Sequence, residues 1–376
     1  MKKYIFILLF ANTCTCTLVK AQTNQQRIKD SIIGWEKVYN FKGKIYKPLV
    51  IEGQTFSAYQ QSLRDSFITW MQKTYKPRAG LGTVFERNYT TVQRRGPVPQ
   101  GIGADHLVWS VAFDKTGKKL ERISETWIPV YIYTNVLMGI NDLSVLCTPK
   151  QYYFTMPAQN YNSTFNDPAF LPYVKDYGLH DDDRFKKYLV YFDGAKVNVV
   201  LIPGNKLPIR QITKGELLQA LEDAIPAIVE KEKADRSVNK SEQARVETEF
   251  KPRWIKTIAN MKEKYRNKLN ELAYVTTQYG PTTADLYSVD EDFFVEGKPQ
   301  YGKGFAVYQY EKEAIQNSKQ DKPMWVTISW EPHKPGSLPK PLYLHQAMLH
   351  RFNFEFVYDY FFNPDKVKGK NYQPLN

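Results

Sequence analysis

This 376-residue sequence predicts an α+β fold in which antiparallel sheet elements flank a central long helical hairpin. Three observations predict it. Tyr188–Phe192 and Val197–Ile202 are apolar, β-branched-rich runs on either side of Asp193-Gly194, a dipeptide that tolerates the positive φ of a tight hairpin turn. Leu217, Leu218, Leu221, Ile225, Ile228 and Val229 form a helical stripe, and Trp254, Ile258, Met261, Tyr265, Leu269 and Leu272 form a second. Short strand-like runs bounded by Gly, Pro and Asp recur before and after these helices.

The chain starts with a basic Met1-Lys2-Lys3, a short apolar run Tyr4–Ala11, and Val19-Lys20-Ala21, compact at the positions a signal peptidase reads. These features predict a signal peptide over 1–21 and a mature chain from Gln22, periplasmic or extracellular. The apolar run is too short for a transmembrane anchor. Cys14 and Cys16 lack the small-residue context of a lipoprotein and leave with the leader, so Cys147 stands alone and no disulfide forms within the mature chain. Its apolar neighbours Val145 and Leu146 predict a buried, inert thiol.

There are 52 basic residues against 39 acidic, and loss of Lys2, Lys3 and Lys20 reduces the surplus from +13 to +10. A basic balance speaks to partners, not to fold. Export, with no Arg-rich arm or zinc-finger spacing, argues against nucleic acid. Dispersed lysines on a solvated surface are the first reading of the surplus, and an anionic envelope component or a glycan is the partner that a functional reading would expect. The 26 Tyr, 21 Phe and 7 Trp suit sugar stacking, but serve cores and sheets more often.

In the mature chain, Ile28, Ile32, Ile33 and Trp35 suggest a turn or two of helix, and Ile45–Ile51 a short strand. Ser57–Tyr75 reads as a helix, capped by Ser57 and stopped by Pro77. Thr83–Thr91, His106–Asp114 and Trp127–Tyr133 read as strands, with a turn at Asp114–Gly117. His106 is expected to face solvent or to be hydrogen-bonded in the core, not to be catalytic. Asp167–Tyr177 suggests a short helix. Thr213 and Glu216 form a capping box that opens the first hairpin helix, which Pro226 should kink. The second long helix is expected from Glu242 to Thr276. Leu286–Val289, Gly304–Glu311 and Met324–Trp330 read as strands, Leu342–Arg351 as helix, and Val367–Asn376 as a polar tail; Phe352–Phe362 fits helix or strand. The division is a signal peptide 1–21, an N-terminal α+β region 22–212, a helical hairpin 213–278 and a C-terminal α+β region 279–376.

Three features resemble a group of uncharacterised exported proteins of Bacteroidota-type bacteria: the leader ending in Ala21-Gln22, the element Leu207-Pro208…Ile212-Thr213-Lys214-Gly215-Glu216-Leu217, and Phe362-Asn363-Pro364-Asp365-Lys366-Val367. The resemblance implies an envelope or secreted location. It carries no activity and transfers no catalytic residue.

The chain has no nucleophile elbow, His-Glu-x-x-His, Cys-x-x-Cys, P-loop or dinucleotide fingerprint, and no cofactor is expected. His180-Asp181-Asp182-Asp183 is the one compact set of potential metal ligands. Consecutive residues point different ways, however, and acidic residues there also suit a helix start; whether His180 with Asp181 and Asp183 binds a metal stays open. His345 and His350 are five apart, which does not put both on one helix face. A carboxylate pair assembled in space would draw on Glu121, Glu125, Asp290 and Asp292. The leading expectation is an exported envelope-associated binding or scaffold protein of unknown ligand. The alternative is a secreted hydrolase of glycan or peptide whose site is built from distant residues. Whether it is an enzyme is open at this stage.

Overall fold

A computed structural model describes residues 34–78, 80–89, 96–123, 127–157, 183–192, 196–288, 292–296, 304–333 and 339–376. The leader, Asp167–Tyr177, His180–Asp182, Glu125 and Asp290 lie outside the described residues, as does the Asp193-Gly194 turn. In chain order the strands are β1 (Gly34–Glu36), β2 (Leu49–Ile51), β3 (Gln54–Phe56), β4 (Leu81–Tyr89), β5 (Ile102–Phe113), β6 (Leu120–Arg122), β7 (Ile128–Thr134), β8 (Asn141–Asp142), β9 (Phe154–Pro157), β10 (Leu189–Phe192), β11 (Val197–Leu201), β12 (Ile209–Gln211), β13 (Tyr274–Val275), β14 (Phe305–Tyr310) and β15 (Val326–Trp330). The helices are α1 (Ala58–Thr74), α2 (Lys214–Asp235), α3 (Lys240–Arg245), α4 (Lys251–Lys264), α5 (Thr283–Tyr287), α6 (Lys312–Asn317), α7 (Pro339–Gln346) and α8 (Phe354–Phe362).

The protein is mixed α+β. The larger sheet runs β1-β4-β5-β7-β15-β11-β10, with β6 added beside β5; the smaller runs β12-β14-β9-β8, with β13 on β14. Apart from the parallel β1–β4 contact, neighbouring strands are antiparallel. Side chains alternate along each strand, so each sheet offers two faces. On one face of the larger sheet, Ala104, Val108, Val130, Val199 and Ile328 pack against Leu63, Phe67 and Trp70 of α1 and Val357 and Phe361 of α8. On the other, Tyr191, Val200 and neighbouring Trp325 meet Phe154, Met156, Tyr308 and Tyr310 of the smaller sheet. The outer face of the smaller sheet, including Val307 and Val275, receives Leu217, Leu221, Trp254 and Ile258 from α2 and α4. The layers therefore run helices, large sheet, small sheet, helices.

The paired helices α2 and α4 thus cover the outside of the small sheet and do not stand between flanking sheets. Strands from both sides of the pair in sequence share each sheet: β15 lies between β7 and β11, and β14 between β12 and β9. The expected second helix is broken into α3, a single π turn at Val246–Phe250, and α4, and it stops at Lys264. Leu269 and Leu272 fall in the turn and return that follow. α2 continues through Pro226 to Asp235.

Several local signals survive intact. Ser57 caps α1 through a capping box with Gln60. Asp114 accepts backbone N–H bonds from Thr116, Lys118 and Lys119, closing the β5–β6 turn. Glu216 N–H donates to the Thr213 hydroxyl, and Thr213 N–H to the Glu216 carboxylate. Thr213→Ala removes the side-chain half of that box and is expected to cost about 1 kcal/mol, read as a lower urea midpoint at constant m.

Other expectations fail for visible reasons. Trp35 lies in β1, not in a helical turn. Residues 283–287 form α5 instead of a strand, because Thr282 and Asp285 make a capping box that alternation does not reveal. The aromatic run 354–362 is helical, setting Phe356, Tyr360 and Phe361 edge-to-face around Trp70. The polar tail is pinned: Tyr372 is buried, stacks on Trp70 at 5.8 Å, and its hydroxyl accepts from Asn353 N–H at 3.0 Å. Cys147 is half-buried and not fully enclosed, its thiol donating to the Tyr153 carbonyl.

Candidate functional site

Where β4 and β7 end and β5 begins, the two sheets diverge and leave a cleft of about 450 Å³. Asn88 and Tyr89 close one side, Tyr133 the floor, and Tyr152 and Tyr310 the opposite wall. Tyr152 stacks on Tyr310 (ring centroids 6.0 Å apart), and Tyr310 on Trp325 (6.4 Å), so that wall is a continuous aromatic stack. The rim is the segment 135–140. Asn135 takes the left-handed conformation, φ 54°, which Asn tolerates better than most residues. Its side-chain oxygen accepts from Met324 N–H at 2.8 Å, and its amide donates to the Gln100 carbonyl at 3.0 Å. Further along, Trp325 and Thr327 both donate to the Val136 carbonyl, and the Tyr191 hydroxyl donates to that of Met138. A rim held from so many points is preorganised.

Strand pairing explains the polar groups beside the cleft. Glu86, Asp105, Tyr131, Ser329 and Asn198 are direct cross-strand partners on successive strands, and so share one face. The row runs from exposed Glu86 to Ser329 and Asn198, which are fully buried; Ser329 Oγ and Asn198 Oδ1 have no hydrogen-bond partner. The next row places Asn88 and Tyr133 on either side of Gly103. The Tyr133 hydroxyl donates to Asp105 Oδ1 at 2.6 Å, and Asn88 Nδ2 to Oδ2 at 2.7 Å. Burial pushes the Asp105 carboxyl up and the Glu86 charge adds to the rise, while these two hydrogen bonds work against it. Burial, then the Asp105 charge, raises the Tyr133 phenol, so it remains a donor. Among the described lining residues none is cationic, and the walls are rings, amides and backbone.

Of the residues singled out in the sequence, those that the structure describes do not assemble here. Glu121 is exposed on β6 and pairs with Lys119 at 3.5 Å. Asp292 lies beside α4, bound to Lys264 at 2.7 Å and to the Tyr265 hydroxyl. Asp183 is exposed and pairs with Lys186. Among the described residues no group of three or more His, Cys, Asp or Glu could hold a metal ion. His345 is buried and its Nδ1 accepts from Trp330 Nε1 at 3.0 Å, whereas His350 is exposed. His106 is neither solvent-facing nor hydrogen-bonded: it sits inside β5, 1 % exposed, with both ring nitrogens unpartnered. Sequence reasoning missed Asp105, Asn88 and Tyr133. The only signal was Asp105 as an acidic residue directly before the predicted strand His106–Asp114.

A second polar cluster is structural. Asp65 on α1 is bound by Lys44 at 3.0 Å, Arg87 at 2.6 Å and the Tyr46 hydroxyl at 2.6 Å. Burial works to raise its carboxyl, but those three hydrogen bonds outweigh it and hold it below the usual carboxylate range. It ties the chain before β2 to α1 and β4. No helix among the described residues is long and apolar enough to cross a membrane. No protein family, curated protein or solved structure matches the chain.

Proposed function

We propose that the chain is an exported binding protein whose inter-sheet cleft takes a neutral, hydroxyl-rich ligand, a short glycan segment. The carrying observation is the cleft itself. Its volume is in the range of small-ligand sites, which run from about 300 to 1,000 Å³. Tyr89, Tyr133, Tyr152 and Tyr310 line it, and Asn88 and Asn135 stand among them. With no cation among the described lining residues and the Asp105 carboxylate behind Tyr133 and Asn88, an anionic ligand is disfavoured there. Export rests on the leader at 1–21 and the resemblance given above, and an envelope or extracellular setting is where glycans are met.

The test is binding of the mature protein to an array of neutral and anionic glycans at low and high salt. Neutral glycans are expected to bind with little change as salt rises, because stacking and neutral hydrogen bonds are not screened. Asn88→Ala, which strips one donor from Asp105 and one wall of the cleft, is expected to weaken binding about tenfold. Binding only to anionic glycans, fading with salt, would remove the cleft from consideration.

One observation favours a second reading, a glycan hydrolase. Glu86 and Asp105 are a cross-strand carboxylate pair beside the cleft, and the raised Asp105 carboxyl suits a general acid. Binding is preferred because both Asp105 oxygens already accept hydrogen bonds and Glu86 is exposed. Product release from bound glycans, abolished by Asp105→Asn, would reverse that preference.

A further inference from the structure

The basic surplus finds no use in the inter-sheet cleft, but it does in a second pocket on the opposite side of the larger sheet. After α1 ends, Tyr75, Lys76 and Arg78 face Tyr343 of α7 and His350 and Arg351 of the π turn that follows it. Together they line a pocket of about 420 Å³. Lys76 is already paired with Glu36 at 3.2 Å. Arg78, His350 and Arg351 make no ion pair with any described carboxylate. The Arg78 guanidinium lies over the Tyr343 ring, 4.3 Å from its centroid. Cations do gather at helix C-termini for the sake of the dipole alone.

That account leaves one atom unexplained. Tyr75 is 2 % exposed, and its hydroxyl is buried without a hydrogen-bond partner. A buried unpartnered hydroxyl is costly, and Tyr75 lines the same pocket as Arg78 and Arg351. Burial raises the phenol, with nearby Arg78 opposing, so the group is a neutral donor.

We propose that this pocket binds a phosphate monoester with an apolar body. Arg78 and Arg351 supply the charge-assisted hydrogen bonds that suit phosphoryl oxygens. The buried Tyr75 hydroxyl gains the acceptor it lacks, and the half-buried Tyr343 ring receives the apolar part. The ester is a soluble molecule or a lipid headgroup; the shared chemistry is the phosphoryl group.

The test uses the mature protein with three probes: inorganic phosphate, phenyl phosphate, and vesicles containing phosphatidic acid. Phenyl phosphate is expected to bind more tightly than inorganic phosphate, and both to weaken as salt rises. Arg78→Gln and Tyr75→Phe are each expected to reduce phenyl phosphate affinity about tenfold. Without ligand, Tyr75→Phe is expected to melt no lower than the parent, since it deletes only the unpartnered hydroxyl. Binding of phenyl phosphate alone assigns the site to soluble esters, and vesicle binding lost in Arg78→Gln extends it to lipid headgroups. If no probe binds, or if neither substitution changes the affinity, the proposal is overturned. Neither result bears on the neutral-glycan cleft, whose variants lie in other elements.

Discussion

Gly103→Ala is expected to destabilise the protein by about 3 kcal/mol and to disable the inter-sheet cleft at the same time. A Cβ at this position would lie 2.4 Å from the Tyr133 ring and 2.6 Å from the Ile132 carbonyl oxygen. Neither contact is tolerable, and one of the two atoms belongs to the backbone of the neighbouring strand. The glycine therefore does what glycine in a strand interior often does, letting an aromatic ring lie across the backbone. That ring position is what carries the Tyr133 hydroxyl to Asp105. Urea unfolding measures the stability cost, and glycan binding by the folded fraction measures the site. In a Tyr133→Ala background two of the three closest contacts are gone, so the cost of Gly103→Ala is expected to shrink to the part owed to the Ile132 carbonyl. Strict additivity of the two substitutions would show that the ring does not rest on Gly103.

That dependence also shows what was legible beforehand. Elements specified by neighbours in sequence were readable: Ser57 as the cap of α1, Thr213 with Glu216 at the start of α2, and the apolar, β-branched run Val197–Leu201. Each is a local contest decided by one or two hydrogen bonds or by the β preference of branched side chains. The layer order was not readable, because a period assigns an element one buried face but does not say which element covers it. Thus α2 and α4 were identifiable as amphipathic, while their place outside the small sheet depends on β14 joining β9 and β12 across long stretches of chain. The site was least legible of all. Asn88, Asp105 and Tyr133 come from three strands, and only the register Asn88–Gly103–Tyr133 makes them neighbours. Glu121 and Asp292 looked equally suitable as carboxylates, and their partners Lys119 and Lys264 show them in surface pairs.

Aromatic content and basic charge, the two compositional signals, meet at many rings, as where Arg78 lies over Tyr343 and Arg64 over Tyr89, but the two pockets draw on them differently. Most of the rings are structural: Trp70 alone contacts Phe67, Phe356, Tyr360, Phe361 and Tyr372. Tyr152 and Tyr310 line a cleft whose described lining lacks cations, while Arg78 and Arg351, which make no ion pair with a described carboxylate, lie on the far side of the large sheet. One chain can therefore hold a salt-insensitive and a salt-sensitive ligand site. A single binding curve on a mixed envelope extract would confuse them.

His106 is expected to make the protein acid-sensitive across a defined window. Its ring is stacked on Phe85, centroids 4.2 Å apart, with Tyr75 edge-on at 5.8 Å, and burial lowers its pKa from 6.5 to about 3. Between those two values the unfolded chain takes up a proton that the native chain refuses. Stability is therefore undiminished by this group above about pH 6.5, falls as the pH drops through the window, and loses nothing further below about pH 3. At about 1.4 kcal/mol per pH unit, the loss is on the order of 5 kcal/mol. Buried carboxylates such as Asp65 and Asp105 add their own pH dependence, so the measurement is a difference between two proteins. His106→Leu keeps an apolar side chain between Phe85 and Tyr75 and has nothing to protonate. Urea midpoints at pH 7 and pH 4 are expected to fall much further for the parent than for His106→Leu, by close to the linkage of one proton. At pH 7 the two should differ little, because the lost ring contact is offset by the removal of two unpartnered nitrogens. Equal acid sensitivity in the two proteins would mean that His106 finds a way to carry its proton in the native core, by water entry or local opening of β5 against α1.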